Sequence, residues 1–152
     1  MSVSARLAEL GIELPAVAAP VAAYVPAVVR DGLVYTSGQL PFSDGALPAT
    51  GKVGAAVAAD DANAYARTCA LNALAAAADA AGGVDRIAGV LRVGGFVAST
   101  PEFTGQPGVI NGASVVLGEI FGDAGRHVRA AVGVPVLPLD SPVEVEVTFI
   151  LA

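Results

Sequence analysis

Arg129 and Glu144 are the residues whose types and setting best suit chemistry in this chain. Both fall in the stretch GRHVRAAVGVPVLPLDSPVEVEV, Gly125 to Val147, which also holds Arg126 and the only histidine, His127. A guanidinium fork suits two-point capture of a carboxylate. A glutamate can orient a water molecule and take its proton. Glycines nearby let backbone amides come close to a ligand. The structural alternative is plain: an arginine and a glutamate facing each other on adjacent strands form a cross-strand pair worth about 0.2–1 kcal/mol. Both readings need strands to carry the two residues. VRAAVGVPV and PVEVEVTFIL read as two closing strands, with a hairpin around LPLDS as the simplest connection.

Other chemistries find little support. One histidine and one cysteine, far apart in sequence, give no metal-ligand cluster, and no compact Asp/Glu motif points to a hard cation. A Ser-His-Asp arrangement lacks the G-x-S-x-G elbow, and neither a phosphate-binding P-loop nor G-x-G-x-x-G occurs. The serine of YTSGQL sits in a strand pattern. Cys69 lies in an alanine-rich helical pattern and reads as a small buried hydrophobe; a single cysteine allows no internal disulfide.

The elements that must position the pair follow from periodicity. SARLAELGI predicts a short amphipathic helix ending at Gly11. AVV and LVYTSG flank Arg-Asp-Gly, a strong hairpin signal. A Gly- and Pro-rich loop, SDGALPATGKVG, leads to the clearest helix, AADDANAYARTCALNALAAAADAAGG. Asp60 or Asp61 is placed to cap its start, and Gly82-Gly83 to end it. IAGVLRVGGFVAS reads as a buried strand, TPEFTGQP as a loop and GVINGASVVLGEIFGD as a second long helix. The order β-β-α-β-α-β-β predicts an α+β fold, a mixed sheet with two helices packed on one face. In VEVEVTFI, Val143, Val145, Val147 and Phe149 point one way and Glu144, Glu146 and Thr148 the other. With helices over the valines, the glutamate face is left for water or another subunit.

Composition bounds the partners. With 152 residues, 55% hydrophobic and 14% charged, the chain predicts one domain over 1–152 with a real core, residues 1–20 forming an N-terminal extension. Its mean hydropathy of +0.67 hints at apolar surface covered by oligomerisation. A net charge of −6, with no cationic stripe, argues against nucleic acid as a partner. The apolar run LPAVAAPVAAYVPAVV is interrupted by Pro15, Pro20 and Pro26 and preceded by Glu9 and Glu13, so the expectation is a soluble, cytoplasmic protein with neither membrane span nor secretory signal.

Four motifs taken together, LVYTSGQLP, VINGASVVLGEIFG, RHVRAAVGVPVLPL and PVEVEV, resemble the Rid/YjgF family, also labelled L-PSP endoribonuclease-like, from about Tyr24 to the C-terminus. The resemblance implies a chorismate-mutase-like fold and a homotrimer with three clefts between subunits. It implies an enamine/imine deaminase of the 2-iminobutanoate/2-iminopropanoate type, hydrolysing products such as 2-aminoacrylate to 2-keto acids and ammonia without metal or organic cofactor. By resemblance, Arg129 grips the substrate carboxylate and Glu144 orients water. Asn111, Ser37, Gly38 and Tyr24 line the cleft. Ala131 stands where family members often carry a cysteine; its backbone carbonyl remains able to hold a water. That departure and the loop TPEFTGQP mark a divergent branch. The alternatives are a non-catalytic trimer binding small carboxylate metabolites and, ranked last, an endoribonuclease. His127 is read as a surface or satisfied histidine with a cleft role as its alternative, Arg126 as solvated, and Glu146 as solvated or at a trimer interface. Tyr24, Ser37, Gly38 and Asn111 keep ordinary packing alternatives, with Asn111 satisfying amides at a helix N-terminus.

Overall fold

The computed structural model describes residues 1–17, 19 and 22–152; Pro20, one of the prolines that interrupt the apolar N-terminal run, lies outside the described residues. The chain forms helix α1 (Val3–Glu9), strands β1 (Ala27–Arg30) and β2 (Leu33–Thr36), helix α2 (Ala59–Ala81), strand β3 (Ile87–Ala98), helix α3 (Gln106–Phe121) and strands β4 (Val128–Val134) and β5 (Val143–Leu151). One five-stranded sheet has the order β1-β2-β5-β3-β4, and α2 and α3 pack on one of its faces. This is the mixed α+β architecture expected. No described helix is long and apolar enough to cross a membrane.

The first hairpin forms where Asp-Gly predicts it. Arg30 pairs with Leu33, leaving Asp31 and Gly32 as a two-residue loop with φ of 50° and 78°. Two positive φ values are what a type I′ turn demands, and its twist matches that of the strands. The closing hairpin does not form. β4 pairs parallel to β3, and β5 inserts antiparallel between β2 and β3. The chain after β4 therefore crosses over β3, and β4 becomes an outer strand beyond it.

Alternation along β5 gives the core its floor. Val143, Val145, Val147 and Phe149 are buried under the helices with Val93 and Val97 of β3 and with Ile110 and Leu117 of α3. Pairing irregularities at Ile87/Gly89 and Val90/Arg92 bulge β3, so Val90 and Val93 both turn inward while Leu91 and Arg92 stay exposed. The capping expectation for α2 is half met. Gly82 closes the helix in the left-handed region at φ 85°, but the N-cap is Ala58, with no side-chain cap, and Asp60 and Asp61 lie in the first turn. There they still favour the helix through its dipole.

Candidate functional site

The sheet register decides what Arg129 and Glu144 can do together. Arg129 pairs with Val93, and Glu144 pairs with Phe96. These two positions on β3 are three residues apart, an odd number, so they face opposite ways. Arg129 shares the helix-covered face with Val93, and Glu144 shares the open face with Phe96. The cross-strand pair is overturned: β3 lies between the two strands, and the side chains leave opposite sides of the sheet.

Arg129 is held on the helix side. Its Nη1 donates to Ser114 Oγ at 3.1 Å and its Nη2 to the Pro107 carbonyl at 3.1 Å, both on α3. Ser114 Oγ is 2.9 Å from His127 Nε2, and His127 Nδ1 is 2.6 Å from the Gly125 carbonyl. Two of the five guanidinium N–H groups are used, and three remain for a ligand. Ala131 pairs with Gly95 and shares this face. Asn111, exposed, lies in the second turn of α3 and not at its N-terminus, which corrects the amide-capping alternative. It stands three positions before Ser114, which puts the two on one flank of the helix.

On the other side, Tyr24, Ser37, Gly38 and Glu144 form a second group. Ser37 Oγ donates to the Val25 carbonyl at 2.6 Å, and its N–H to Pro26 O at 2.8 Å, which ties the Tyr24 segment to the end of β2. Tyr24 is exposed. Gly38 lies flat against Glu144: a Cβ there would come within 2.7 Å of the carboxyl carbon. The absence of a side chain at 38 is what leaves the carboxylate its space. No described group donates a hydrogen bond to it. Burial, and next the Glu146 carboxylate, push the Glu144 carboxyl above its usual value. Glu146 is itself offset by Arg92 at 3.7 Å. Around these acids the open face carries Tyr35, Val128, Val132 and Ile150, all exposed.

The sequence-predicted residues thus sort into two groups, Arg129–Asn111–Ala131 and Tyr24–Ser37–Gly38–Glu144. The fold does not join them within one chain. Sequence reasoning missed Ser114, whose helical spacing from Asn111 was the available signal. His127 is a satisfied histidine, as its structural reading held, and it is also linked to Arg129 through Ser114. Arg126 is solvated, near Asp123 at 3.4 Å. The last two residues of TPEFTGQP, Gln106 and Pro107, open α3 rather than belonging to a loop, and the segment 100–104 lines a cavity of about 580 Å³ with Lys52, Ser99, Gln106 and Gly133. Gln106 precedes the Pro107 carbonyl to which Arg129 donates, so the cavity adjoins the Arg129 group.

Comparison with known proteins gives this arrangement a context. A family model described as "YjgF/chorismate mutase-like, putative endoribonuclease" matches residues 4–150. Protein TCP17 of Trypanosoma cruzi is 43% identical over 145 residues, 95% of this chain and 91% of the relative. The crystal structure of Atu1372 from Agrobacterium tumefaciens, a protein of unknown function, is similar with a TM-score of 0.90 at 42% identity, covering 99% of this chain and 92% of that one. A structure from Shewanella oneidensis MR-1, carrying the same endoribonuclease description, has a TM-score of 0.94 at 36% identity over 99% of this chain and all of that one, 100%.

Proposed function

The chain belongs to the YjgF/chorismate mutase-like family, and from that premise we propose that it is an enamine/imine deaminase whose active site forms between copies in a homotrimer. The observation that carries this reading is the division of the site residues between two faces. Arg129 sits at an outer strand on the helix side, and Glu144 sits on an open face bearing exposed apolar residues. Setting the outer strand of one copy against the open face of the next would cover Tyr35, Val132 and Ile150. It would also bring a guanidinium to a carboxylate of raised pKa.

The substrate is a 2-imino acid. Its carboxylate takes two of the three guanidinium N–H groups left on Arg129, in charge-assisted bonds of about 1.5–3 kcal/mol each. With that end fixed, the imine carbon stands where a water held by Glu144 attacks it. The water oxygen bonds to carbon, the C=N electron pair moves to nitrogen, and the water proton passes to Glu144. Glu144 returns that proton to nitrogen, giving the carbinolamine; it then takes the carbinol O–H proton and passes it to nitrogen as the C–N bond breaks, so ammonia leaves as the 2-keto carbonyl forms. One water is consumed and no electrons change hands. A carboxyl whose pKa is raised by burial is better matched to this two-way transfer near neutral pH than an ordinary glutamate.

A non-catalytic carboxylate binder is the second reading, because the half-site that one chain already holds in place is the gripping half, Arg129 on Ser114 and Pro107. Endoribonuclease activity ranks third: the chain carries a net charge of −6, and of the two basic residues flanking His127, Arg126 lies by Asp123 while Arg129 is turned onto α3. The test is competition with semicarbazide for imines that an amino-acid oxidase generates from a panel of amino acids. Wild type should lower semicarbazone formation and Arg129→Ala should not, with the assembly intact. Tight 2-keto acid binding without imine hydrolysis would select the binder.

A further inference from the structure

We propose that Ser114 and His127 are positioning residues for Arg129, acting as a one-directional hydrogen-bond chain that fixes the guanidinium for its carboxylate. This rests on the proposed use of Arg129 but concerns Ser114, which the sequence reading does not single out, and His127, to which it gives a cleft role only as an alternative with no mechanism.

The direction of each bond follows from what the atoms can do. The Gly125 carbonyl only accepts, so His127 Nδ1, 2.6 Å away, carries the hydrogen. In the neutral ring Nε2 is then an acceptor, and its neighbour at 2.9 Å is Ser114 Oγ, which gives it the hydroxyl hydrogen. Having spent that hydrogen, Ser114 faces Arg129 Nη1 with lone pairs alone, which suits a guanidinium that can only donate. The backbone at Gly125 therefore sets the tautomer of His127, His127 sets the rotor of Ser114, and Ser114 sets Arg129. The chain also spans three elements: Gly125, buried, ends the turn after α3, His127 leads into β4, and Ser114 is in the middle of α3.

A protonated ring would reverse the middle bond. Nε2–H would then point at the same oxygen that Nη1–H uses, leaving two cations on one acceptor and the hydroxyl hydrogen without its partner. Because Arg129 also donates from Nη2 to Pro107 O, the guanidinium is fixed at two points. Its plane, and so the direction of its remaining N–H groups, is set before a ligand arrives. Preorganisation of this kind raises affinity by lowering the ordering cost of binding.

The test uses Ser114→Ala, Ser114→Thr, His127→Phe and the Ser114→Ala/His127→Phe double variant, each checked for wild-type assembly mass and melting. The probe ligand is 2-oxobutanoate, read by calorimetry, with imine turnover beside it. Ser114→Ala should weaken binding and raise KM by about tenfold, the scale of one lost charge-assisted bond, with kcat reduced much less. Ser114→Thr, which keeps the hydroxyl, should restore most of the affinity. His127→Phe should weaken binding too, and the double variant should be no worse than Ser114→Ala, because links of one chain do not add. Unchanged affinity in Ser114→Ala, or losses that multiply in the double variant, would overturn the proposal. If wild type neither binds 2-oxobutanoate nor hydrolyses imines, the deaminase and binder readings both fail, and nitrogen NMR of the Arg129 guanidinium decides the present one. Hindered rotation in wild type that is released in Ser114→Ala supports it; free rotation in both refutes it.

Discussion

Arg129 and Glu144 lie on opposite faces of one sheet with strand β3 between them, the first in register with Val93 and the second with Phe96. Each is placed for chemistry by its own surroundings: Arg129 by Ser114 and Pro107, Glu144 by burial beside Gly38. A function that needs both within reach of one small molecule needs two copies of the chain.

Replacing Arg129 by lysine keeps the charge and removes the fork. Lysine cannot donate to Ser114 and Pro107 at once and still offer two parallel N–H groups. We expect kcat/KM for imine hydrolysis to fall by roughly 10- to 100-fold, the equivalent of one charge-assisted bond. Steady-state kinetics that leave Arg129→Lys within twofold of wild type would show that bidentate capture is not used.

Glu144→Gln should separate activity from stability. The folded chain raises this carboxyl's pKa, chiefly by burial and then through Glu146. A group that holds its proton more tightly when folded adds stability below its unfolded pKa, and that contribution is lost as pH rises through the folded value. Near pH 7 the ionised side chain is therefore a cost that glutamine removes. Melting curves in an Arg129→Ala background, where no neighbouring guanidinium offsets the charge, should place the added Glu144→Gln above its Arg129→Ala parent near pH 7, with the gap closing towards about pH 4. Turnover of Glu144→Gln alone should drop by about 10²–10⁴-fold, as for loss of a general acid–base. A gap that widens on acidification would contradict the assignment.

Gly38→Ala adds one methyl against Glu144. Its Cβ would fall within 2.7 Å of the carboxyl carbon, so the carboxylate must swing away from its position. Activity should fall by at least tenfold while Arg129-dependent binding of 2-oxobutanoate is affected less, since the arginine half-site is untouched. Equal losses in both measurements would argue against a separate role for the Glu144 half-site.

Asn72 anchors the chain that follows Gly38. Buried in α2, it donates from Nδ2 to the Leu40 and Phe42 carbonyls at 3.0 and 3.1 Å. Asn72→Leu leaves those carbonyls without a donor, at a cost of about 1–3 kcal/mol for each acceptor left buried. Thermal unfolding should shift down by roughly 5–10 °C for a chain of this size. A shift under about 2 °C would mean that water replaces the amide.

The sequence made local features legible because local spacing determines them. Asp31-Gly32 marked its hairpin, Gly82 ended α2, and the alternation in VEVEVTFI separated the faces of β5. Strand order was another matter. VRAAVGVPV and PVEVEVTFIL are neighbours in sequence and look like a hairpin, but β4 is matched to β3, and no period within either strand records that choice. The faces of Arg129 and Glu144 depend on two registers through β3, so the odd separation of Val93 and Phe96 could not be read from the spacing of 129 and 144. The α2 N-cap was missed for a smaller reason: Ala58 takes the cap position and the aspartates fall just inside it, in the first turn, where their charge still helps. Ser114 went unnoticed because a serine within an apolar helix is ordinary until a neighbouring strand brings an arginine to it.

Mixing two inactive variants tests the account most directly. Arg129→Ala and Glu144→Gln chains, differently tagged, are co-expressed, and assemblies holding both are purified and assayed for imine hydrolysis. If each site takes Arg129 from one copy and Glu144 from the next, any mixed trimer has one interface where an intact Arg129 meets an intact Glu144. It should then recover about one third of wild-type turnover. If both residues of a site came from the same chain, every site would carry a defect; mixed assemblies as inactive as their parents, of trimeric mass and beside an active wild type, would contradict a site shared between subunits.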